Sequence, residues 1–518
     1  MMKWDRKAEL TIVVLVAAFI MFFQLGHLPL LDPDEPVYAQ TAREMLQTGD
    51  FISPRIYGDF WYDKPPMYYW LVAGSFKLFG QSEFAARFPS ALLAVCGVLL
   101  VYRFGKSIFG RRAGLIAALV LATSVEYFYL GKAAVTDITL TFFMTASLLL
   151  YLKGRYYPAY AAAGLAVLTK GPVAIVLPAA IVLAHLVWTR GFGEIKRIKL
   201  VSGTLLMLLV ASPWYLAMYH FHGMDFVDTF LGFHNVTRFL KPEHPSGTLW
   251  YYYIPVLLLG FFPWTVFLGQ TGKRIWQERK GLVGRELSCL AIWAGAVFVF
   301  FSLSQTKLIS YILPMYPPLA LLTGWYIDHC ISREAVQGVF GKPVILLLLF
   351  FGLLEGGLVW GALEYLPALV PGVVLTGLVF GLTAAGAWLA VKQGQAIRLV
   401  GVLTGGMLLF VVVLMTCLFP AAAPALSVKD VAADFKAQYD GQAPVYVEKF
   451  LRPGFAYYME QPGEELTSIN QVLAEMKNAS RPIYFVVKEK NYRSLPPAEQ
   501  QQLQLVAVAD NVVVLRKE

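Results

Sequence analysis

The sequence predicts a mostly helical, multi-pass membrane protein with a small α/β domain at its C-terminal end. Of its 518 residues, 57% are hydrophobic and only 15% are charged, and the mean hydropathy is +0.58. This composition is typical of polytopic membrane proteins and differs from that of a large soluble enzyme. Two further observations support the prediction: apolar runs recur along most of the chain, and they stop at Pro420.

Thirteen apolar runs are candidate transmembrane helices, which need roughly 17–25 residues each. They lie at about 10–26, 84–104, 112–130, 135–152, 156–171, 172–189, 199–218, 250–269, 287–304, 308–327, 343–363, 368–391 and 399–419. The fifth run is short and only Gly171-Pro172 separates it from the sixth, so the predicted number of spans is about thirteen. The first run follows basic residues and lacks a small-residue cleavage site, which predicts a retained span.

The basic residues predict the orientation of these spans. With the N-terminus in the cytoplasm, the gaps richest in Lys and Arg all fall on the cytoplasmic side: 103–112, 153–155, 190–199, 273–285, 333–342 and 392–398. An odd number of spans then places the C-terminus outside. Because this topology explains the formal net charge of +9, we expect no nucleic-acid partner.

The first outside segment, about 27–83, concentrates the residues best suited to chemistry. Asp34 and Glu35 precede Pro36 in the first turn of a predicted helix, where backbone N–H groups favour an anion. The turn Asp63-Lys64 follows among aromatic side chains. One interpretation is an amphipathic connector on the bilayer surface, and the other is a site with an ionised base, a cation for a phosphate and aromatic walls.

Two other outside segments contain candidate residues. The segment 219–250 has four of the seven histidines, which are His220, His222, His234 and His244. A polar interfacial loop explains them as well as a metal site does, since spacing alone does not make ligands converge. In the next outside segment Lys307 and Tyr311 lie one helical turn apart and could share a face.

After Pro420 the pattern changes to that of a small α/β domain. No apolar run in 424–518 is long enough to span a membrane. Strand-like runs lie at 445–447, 483–487, 505–508 and 512–515, and helical patterns lie near 427–439 and 467–478. We therefore divide the chain into a transmembrane domain, 1–420, and an extracytoplasmic α/β domain, 421–518.

Five motifs in order resemble those of bacterial GT-C glycosyltransferases, the superfamily of the lipid A aminoarabinose transferase and the protein O-mannosyltransferases. They are DEPVYAQTAREMLQTGDFISPRIYGDFWYDKPPMYYW from Asp34, AAVTDITLTFF around Asp137, LTKGPVA around Lys170, HNVTRF with Arg238, and SQTKLISYILPMYPPLALL with Lys307 and Tyr311. The resemblance covers about 1–330 closely and the remainder in general layout. It implies a GT-C fold with extracytoplasmic juxtamembrane helices in the bacterial inner membrane.

The resemblance also implies a polyprenyl-phosphate-linked sugar donor and an acceptor reached from the outer leaflet or periplasm. The acceptor would be lipid A, another envelope glycan or lipid, or protein. Asp34 and Glu35 are the implied catalytic residues, with Asp34 as the base that takes the proton of an acceptor hydroxyl. A single base and a phosphate leaving group suit direct displacement with inversion.

The resemblance assigns the remaining site residues by motif. The developing negative charge of the leaving phosphate needs positive groups or hydrogen-bond donors. The implied phosphate-binding residues are Lys64, Lys170, Arg238, Lys307 and Tyr311. The implied substrate-orienting residues are Asp63, Asp137 and Tyr62.

The sequence departs from the aminoarabinose transferase pattern in its second large outside segment. In that transferase a His three residues before the Arg of this segment belongs to a metal site. Here that place is Asn235, and His234 lies one position earlier. The sequence assigns no cofactor and leaves a divalent metal ion as a candidate, with Asp63 and His234 as its candidate ligands.

A transporter or flippase of lipid-linked sugars is the alternative function, and an envelope assembly protein is a third. A transporter is expected to place ionisable groups near mid-bilayer on broken helices, often in repeated halves. This sequence has no internal repeat and gathers its carboxylates at one membrane face, which favours the enzyme. An assembly protein would not need the five motifs together.

Overall fold

The computed structural model describes residues 6–242, 249–333, 336–461, 463–479 and 481–518. His244 of the predicted histidine-rich segment lies outside these ranges. Each of the thirteen predicted apolar runs overlaps a helix. By length and composition, six helices within the described ranges could cross a membrane, or eight if each of two bent helix pairs is one span. The chain is thus a mostly helical, multi-pass membrane protein with a small sheet near its C-terminus.

The first part of the chain consists mainly of apolar helices. One long connection, after the first of them, has helices and strands of its own. Helix α1 (Arg6–Phe22) is followed by a segment that contains α2 (Asp34–Thr48), β1 (Arg55–Ile56), β2 (Asp59–Phe60) and α3 (Met67–Phe79). The next helices are α4 (Glu83–Ile108), α5 (Arg111–Thr123), α6 (Val125–Gly131), α7 (Asp137–Leu152), α8 (Tyr156–Lys170), α9 (Val173–Thr189) and α10 (Leu200–Val227).

The second part continues with a π-helix, Asp228–Thr237, so much of the predicted loop 219–250 is helical, with a kink at Gly223. The later helices are α11 (Arg238–Leu240), α12 (Tyr253–Gly260), α13 (Leu268–Glu278), α14 (Gly284–Leu303), α15 (Tyr316–Arg333), α16 (Val336–Tyr365), α17 (Val370–Lys392), α18 (Ala396–Val413) and α19 (Phe419–Leu426). Short 3₁₀ segments lie at Phe192–Lys196, Trp264–Phe267, Ile309–Met315 and Pro367–Leu369, and a second π-helix lies at Leu414–Leu418.

The chain bends sharply between α12 and the helical stretch Trp264–Glu278, by 107°. Pro263 lies at the bend and has no backbone N–H to continue a helical hydrogen-bond ladder, which explains the break. Nearby, the buried Trp264 indole donates to the Thr123 hydroxyl at 2.9 Å. Burial of this large aromatic side chain with its polar group bonded stabilises the packing at the bend.

The C-terminal tail forms a five-stranded sheet. Its elements are α20 (Lys429–Lys436), β3 (Val445–Glu448), α21 (Arg452–Met459), β4 (Glu464–Leu466), α22 (Ile469–Asn478), β5 (Ile483–Lys488), α23 (Glu489–Arg493), α24 (Pro497–Gln500), β6 (Gln504–Ala509) and β7 (Val512–Lys517). The strand order is β4-β3-β5-β7-β6, with β3 parallel to both β4 and β5 and with β7 antiparallel to its neighbours.

The four predicted strands and two predicted helices of the tail are confirmed within a few residues. Strand β4 and the helices α21, α23 and α24 were not predicted. Five of the six residues of β5 are buried, because helices cover both faces of the central strand. Helix α21 packs on α2, so the tail rests directly on the connection that follows α1.

Candidate active site

The first turn of α2 places two neighbouring carboxylates in opposite environments. Glu35 forms a two-pronged ion pair with Arg87 of α4, with Nε–Oε1 at 2.8 Å and Nη2–Oε2 at 2.5 Å. Glu35 also accepts the backbone N–H groups of Leu31 at 2.8 Å and Ala134 at 2.7 Å. Because it is buried and both oxygens are occupied, the Glu35 predicted to act beside Asp34 belongs to a structural ion pair.

Asp34, by contrast, reaches solvent and has no side-chain hydrogen bond or ion pair among the described residues. The protein packed around the rest of its carboxylate raises the pKa of Asp34, and the negative charge of Asp137 adds to the rise. The positive charges of Lys64 and Lys170 lower this pKa. Asp34 is therefore an accessible carboxylate. Two cations lower its pKa, but neither forms an ion pair with it.

Asp63 gathers three nitrogen groups around one carboxylate oxygen. Its Oδ1 lies 2.8 Å from Lys64 Nζ, 2.8 Å from His234 Nδ1 and 3.4 Å from Arg238 Nη1. Burial alone would raise the pKa of Asp63, but Lys64 and His234, followed by Arg238, outweigh it and lower the pKa well below its usual range. Asp63 thus stays ionised and holds Lys64 and Arg238 side by side.

A second ion pair joins the ends of two neighbouring helices. Lys170, the last residue of α8, donates to Asp137 Oδ1 in the first turn of α7 at 2.6 Å. Its Nζ lies 4.8 Å from the centre of the Tyr311 ring. The next residue, Gly171, has a φ of +75°, and a Cβ there would lie 2.7 Å from the Phe230 ring, so this turn requires glycine.

Aromatic side chains surround the charged groups. Tyr38, one helical turn after Asp34, lies 5.4 Å from Tyr68 and 5.8 Å from Tyr69, measured between ring centres. The charges of Asp63 and Asp34 both affect the pKa of Tyr38, although burial is the main reason that this pKa is raised. The tyrosine therefore lies beside the carboxylates and forms part of their wall.

Tyr62, predicted to orient substrate, packs on the far side of the Asp63 turn. Its ring lies 5.3 Å from the ring of His222 and 5.8 Å from that of Phe226. His222 in turn lies 2.8 Å from the Ser53 hydroxyl, between Nε2 and Oγ. Tyr62 and His222 thus pack together and stabilise the connection that contains Asp63.

Residues 63–216 match a family model described as dolichyl-phosphate-mannose-protein mannosyltransferase. A crystal structure of ArnT from Cupriavidus metallidurans bound to undecaprenyl phosphate superimposes with a TM-score of 0.83, at 25% identity, over 99% of this chain and 98% of that one. A protein from Edwardsiella ictaluri named undecaprenyl phosphate-α-4-amino-4-deoxy-L-arabinose arabinosyl transferase is 30% identical over 397 residues. That match covers 72% of this chain and 70% of the relative.

The chain belongs to the ArnT-like family of GT-C glycosyltransferases. A second arabinosyl transferase of the same name, from Aeromonas hydrophila, is 31% identical over 59% of this chain. The match spans only 58% of that relative, less than two thirds of its length. Its apolar helices and its family membership together indicate that the chain is a multi-pass inner-membrane protein.

Among the ArnT-like motif residues, the structure brings most of the predicted site together. Asp34, Asp63, Lys64, Asp137 and Lys170 interact electrostatically, and Arg238 joins them through Asp63. Lys307 donates to the backbone carbonyl of Ser304 at 2.6 Å.

Tyr38 and Arg87 were not predicted as parts of the ArnT-like site. Tyr38 has a sequence signal, because it follows Asp34 at the i, i+4 spacing that places two side chains on one helix face. Arg87 lies 52 positions after Glu35, and no spacing rule connects the two.

Asp63 and His234 do not fit a divalent metal ion. Lys64 and Arg238 both contact Asp63 Oδ1, the oxygen that faces His234, and positive groups there oppose a cation. Within the ranges that the structure describes, no three His, Cys, Asp or Glu side chains converge as metal ligands. Asn235, next to His234, donates to the Phe230 carbonyl at 2.6 Å.

Proposed function

We propose that this protein is an integral-membrane glycosyltransferase that moves a sugar from a polyprenyl-phosphate donor to an extracytoplasmic acceptor. One observation supports it above the others: the accessible carboxylate of Asp34 lies among cations that the family motifs assign to phosphate binding. The ArnT structure with undecaprenyl phosphate and the arabinosyl transferases named above support a polyprenyl phosphate carrier.

Asp34 is the general base of the proposed reaction. Its carboxylate takes the proton of the acceptor hydroxyl while that oxygen forms a bond to the anomeric carbon of the sugar. The bond between the anomeric carbon and the phosphate oxygen breaks at the same time, and polyprenyl phosphate leaves with the bonding electrons. Because Glu35 is occupied by Arg87, the carboxylate next to Asp34 is not available as a nucleophile, which supports single displacement with inversion.

Lys64, Lys170 and Arg238 stabilise the leaving phosphate. Negative charge grows on that group in the transition state, and cations that are already in position stabilise it without reorganisation. Asp63 and Asp137 supply this preorganisation by holding the three cations through ion pairs. Tyr311, whose ring centre lies 4.8 Å from Lys170 Nζ, is proposed to donate a hydrogen bond to the same phosphate.

The topology that accompanies this function has about thirteen spans. The N-terminus is cytoplasmic, and the site and the tail, residues 421–518, lie on the periplasmic side. The basic gaps of the sequence support this orientation. The acceptor is an envelope lipid or glycan, with lipid A favoured by the arabinosyl transferase relatives.

The test is release of polyprenyl phosphate. Purified protein is mixed with a panel of undecaprenyl-phosphate sugars and an envelope-lipid extract, beside Asp34→Asn and the control Asp59→Asn, an exposed carboxylate of the same connection. We expect one donor to be consumed by the wild type and the control but not by Asp34→Asn. Transport of these lipids across vesicles without consumption of any donor would instead support the flippase and contradict the proposal.

A further inference from the structure

Asp32 joins the tail to the segment that leads into α2. Its Oδ2 accepts the backbone N–H of Val428 at 3.0 Å, and its own N–H donates to the Leu426 carbonyl at 3.0 Å. The backbone of Gly454 in α21 lies so close that a Cβ there would be 2.2 Å from Asp32 Oδ1. One carboxylate thus contacts both the start and the middle of the tail.

Other contacts connect the same two regions. The backbone N–H of Leu30 donates to the Tyr458 hydroxyl at 2.7 Å. Arg43 of α2 donates to the Tyr457 carbonyl at 2.8 Å and lies 4.0 Å from the centre of the Tyr457 ring. Lys429 pairs with Glu83 at 2.6 Å. These contacts lie on both sides of Asp32 along the connection, so the tail contacts this part of the chain over a continuous face.

We propose that Asp32 is a positioning residue through which the C-terminal tail sets the place of Asp34 in the active site. Only Pro33 separates the two residues. Since Asp34 has no side-chain hydrogen bond among the described residues, its place depends on the backbone of the first turn of α2. The backbone just before that turn is attached to the tail by Asp32. This role rests on the proposed function, because Asp34 must act as the base.

The proposal predicts a loss in turnover and not in donor binding. The cations proposed to bind phosphate lie on the Asp63 turn, α8 and α11, which are different elements from the first turn of α2. Loss of the Asp32 contacts should therefore displace the Asp34 carboxylate and leave the phosphate-binding cations in place. A shift of about 1 Å in a reacting group can lower the rate by roughly 100-fold.

The experiment compares Asp32→Asn with Asp434→Asn, an exposed carboxylate of the tail, in the full chain. The Asn side chain turns one acceptor into a donor that faces backbone N–H groups. We expect kcat to fall by about 10- to 100-fold in Asp32→Asn, with unchanged KM for the donor and unchanged affinity for undecaprenyl phosphate. Hydrogen exchange should be faster in 34–38, and Asp434→Asn should behave as wild type.

Gly454→Ala is the second variant, for the case in which Asp32→Asn does not fold. Alanine suits a helix, but its Cβ would displace the Asp32 carboxylate, so the same selective fall in kcat is expected. Unchanged kcat in either folded variant, or a parallel loss of donor affinity, would overturn the proposal. A wild type that consumes no donor would instead overturn the proposed function, so the two failures are distinguishable.

Discussion

Asp34 and Glu35 are consecutive residues of one helical turn, yet their side chains lie in two different environments. Glu35 is part of a buried ion pair in which Arg87 and two backbone N–H groups occupy both of its oxygens. Asp34 faces solvent beside a cluster of cations and accepts no hydrogen bond among the described residues. The two side chains have the same charge and similar chemistry, so their surroundings alone separate the structural role of Glu35 from the catalytic role proposed for Asp34.

This difference gives a criterion for separating structural carboxylates from carboxylates that are available for chemistry. A carboxylate whose two oxygens already accept hydrogen bonds from the protein stabilises the fold. It has no oxygen available to a substrate. A carboxylate that the fold leaves without partners beside cations is free to accept a proton. The cation pairs of Asp63 and Asp137 lie between these extremes, because their carboxylates are used to place Lys64, Arg238 and Lys170.

The largest expected effect comes from removing the accessible carboxylate. Asp34→Asn should lower sugar transfer by about 100- to 10,000-fold, the usual contribution of a general base. Its thermal unfolding should match that of wild type, because the Asp34 side chain has no bonded partner to lose among the described residues. Substantial transfer by folded Asp34→Asn would remove the distinction between the two carboxylates.

The second effect is on stability. Glu35→Gln should lower the free energy of unfolding by about 3–5 kcal/mol, because it leaves the buried guanidinium of Arg87 without its counter-charge. The measurement is denaturant unfolding in detergent. The control is Glu194→Gln, which breaks the exposed pair with Arg285 and should cost less than about 1 kcal/mol. Equal losses in the two variants would contradict the structural role of Glu35.

A smaller effect concerns the pH dependence of transfer. The base must be ionised, so kcat should rise with pH through the raised pKa of Asp34. Lys64 lowers this pKa, and Lys64→Met should therefore raise it and move the acidic limb of the pH profile to higher pH.

The matched control for this pH prediction is Lys77→Met, which changes an exposed lysine of α3. Its acidic limb should coincide with that of wild type, whatever happens to the maximal rate. An unshifted limb in Lys64→Met would mean that Asp34 is not the group that titrates.

The smallest effect is expected at Lys307. Its ammonium group donates to the Ser304 carbonyl at 2.6 Å, whereas Lys64 and Arg238 share the Asp63 carboxylate beside Asp34. Lys307→Met should therefore raise the Kd for undecaprenyl phosphate less than Lys64→Met does, as measured by titration. A larger loss in Lys307→Met would include Lys307 in the phosphate site and widen the catalytic region.

The sequence predicted the parts of this structure that local chemistry determines. Short strand-like runs indicated β5 and β7, and longer apolar runs indicated the spanning helices. The motifs indicated Asp34, Lys64 and Lys170 through a family resemblance, and the structure places these residues together.

The parts that were not predicted depend on contacts distant in sequence. Nothing local separates Glu35 from Asp34, because the partner that occupies Glu35 lies 52 positions away in α4. The segment 219–250 was expected to be a loop, since its histidines and charges interrupt the apolar pattern, yet helical structure continues through its first part to Thr237. Asp32 had no signal either, since its partners are in the tail.

The contact between Asp32 and Val428 joins residues 396 positions apart in the sequence. A ribosome that has completed α2 must still make most of the protein before Val428 exists. Chains grow from the N-terminus, so this contact can form only near the end of synthesis, after the tail has been made and folded. A chain that ends just before the tail would contain the charged residues of the site and still lack the attachment proposed to position Asp34. On the proposed mechanism, the order of biogenesis therefore keeps incomplete copies inactive.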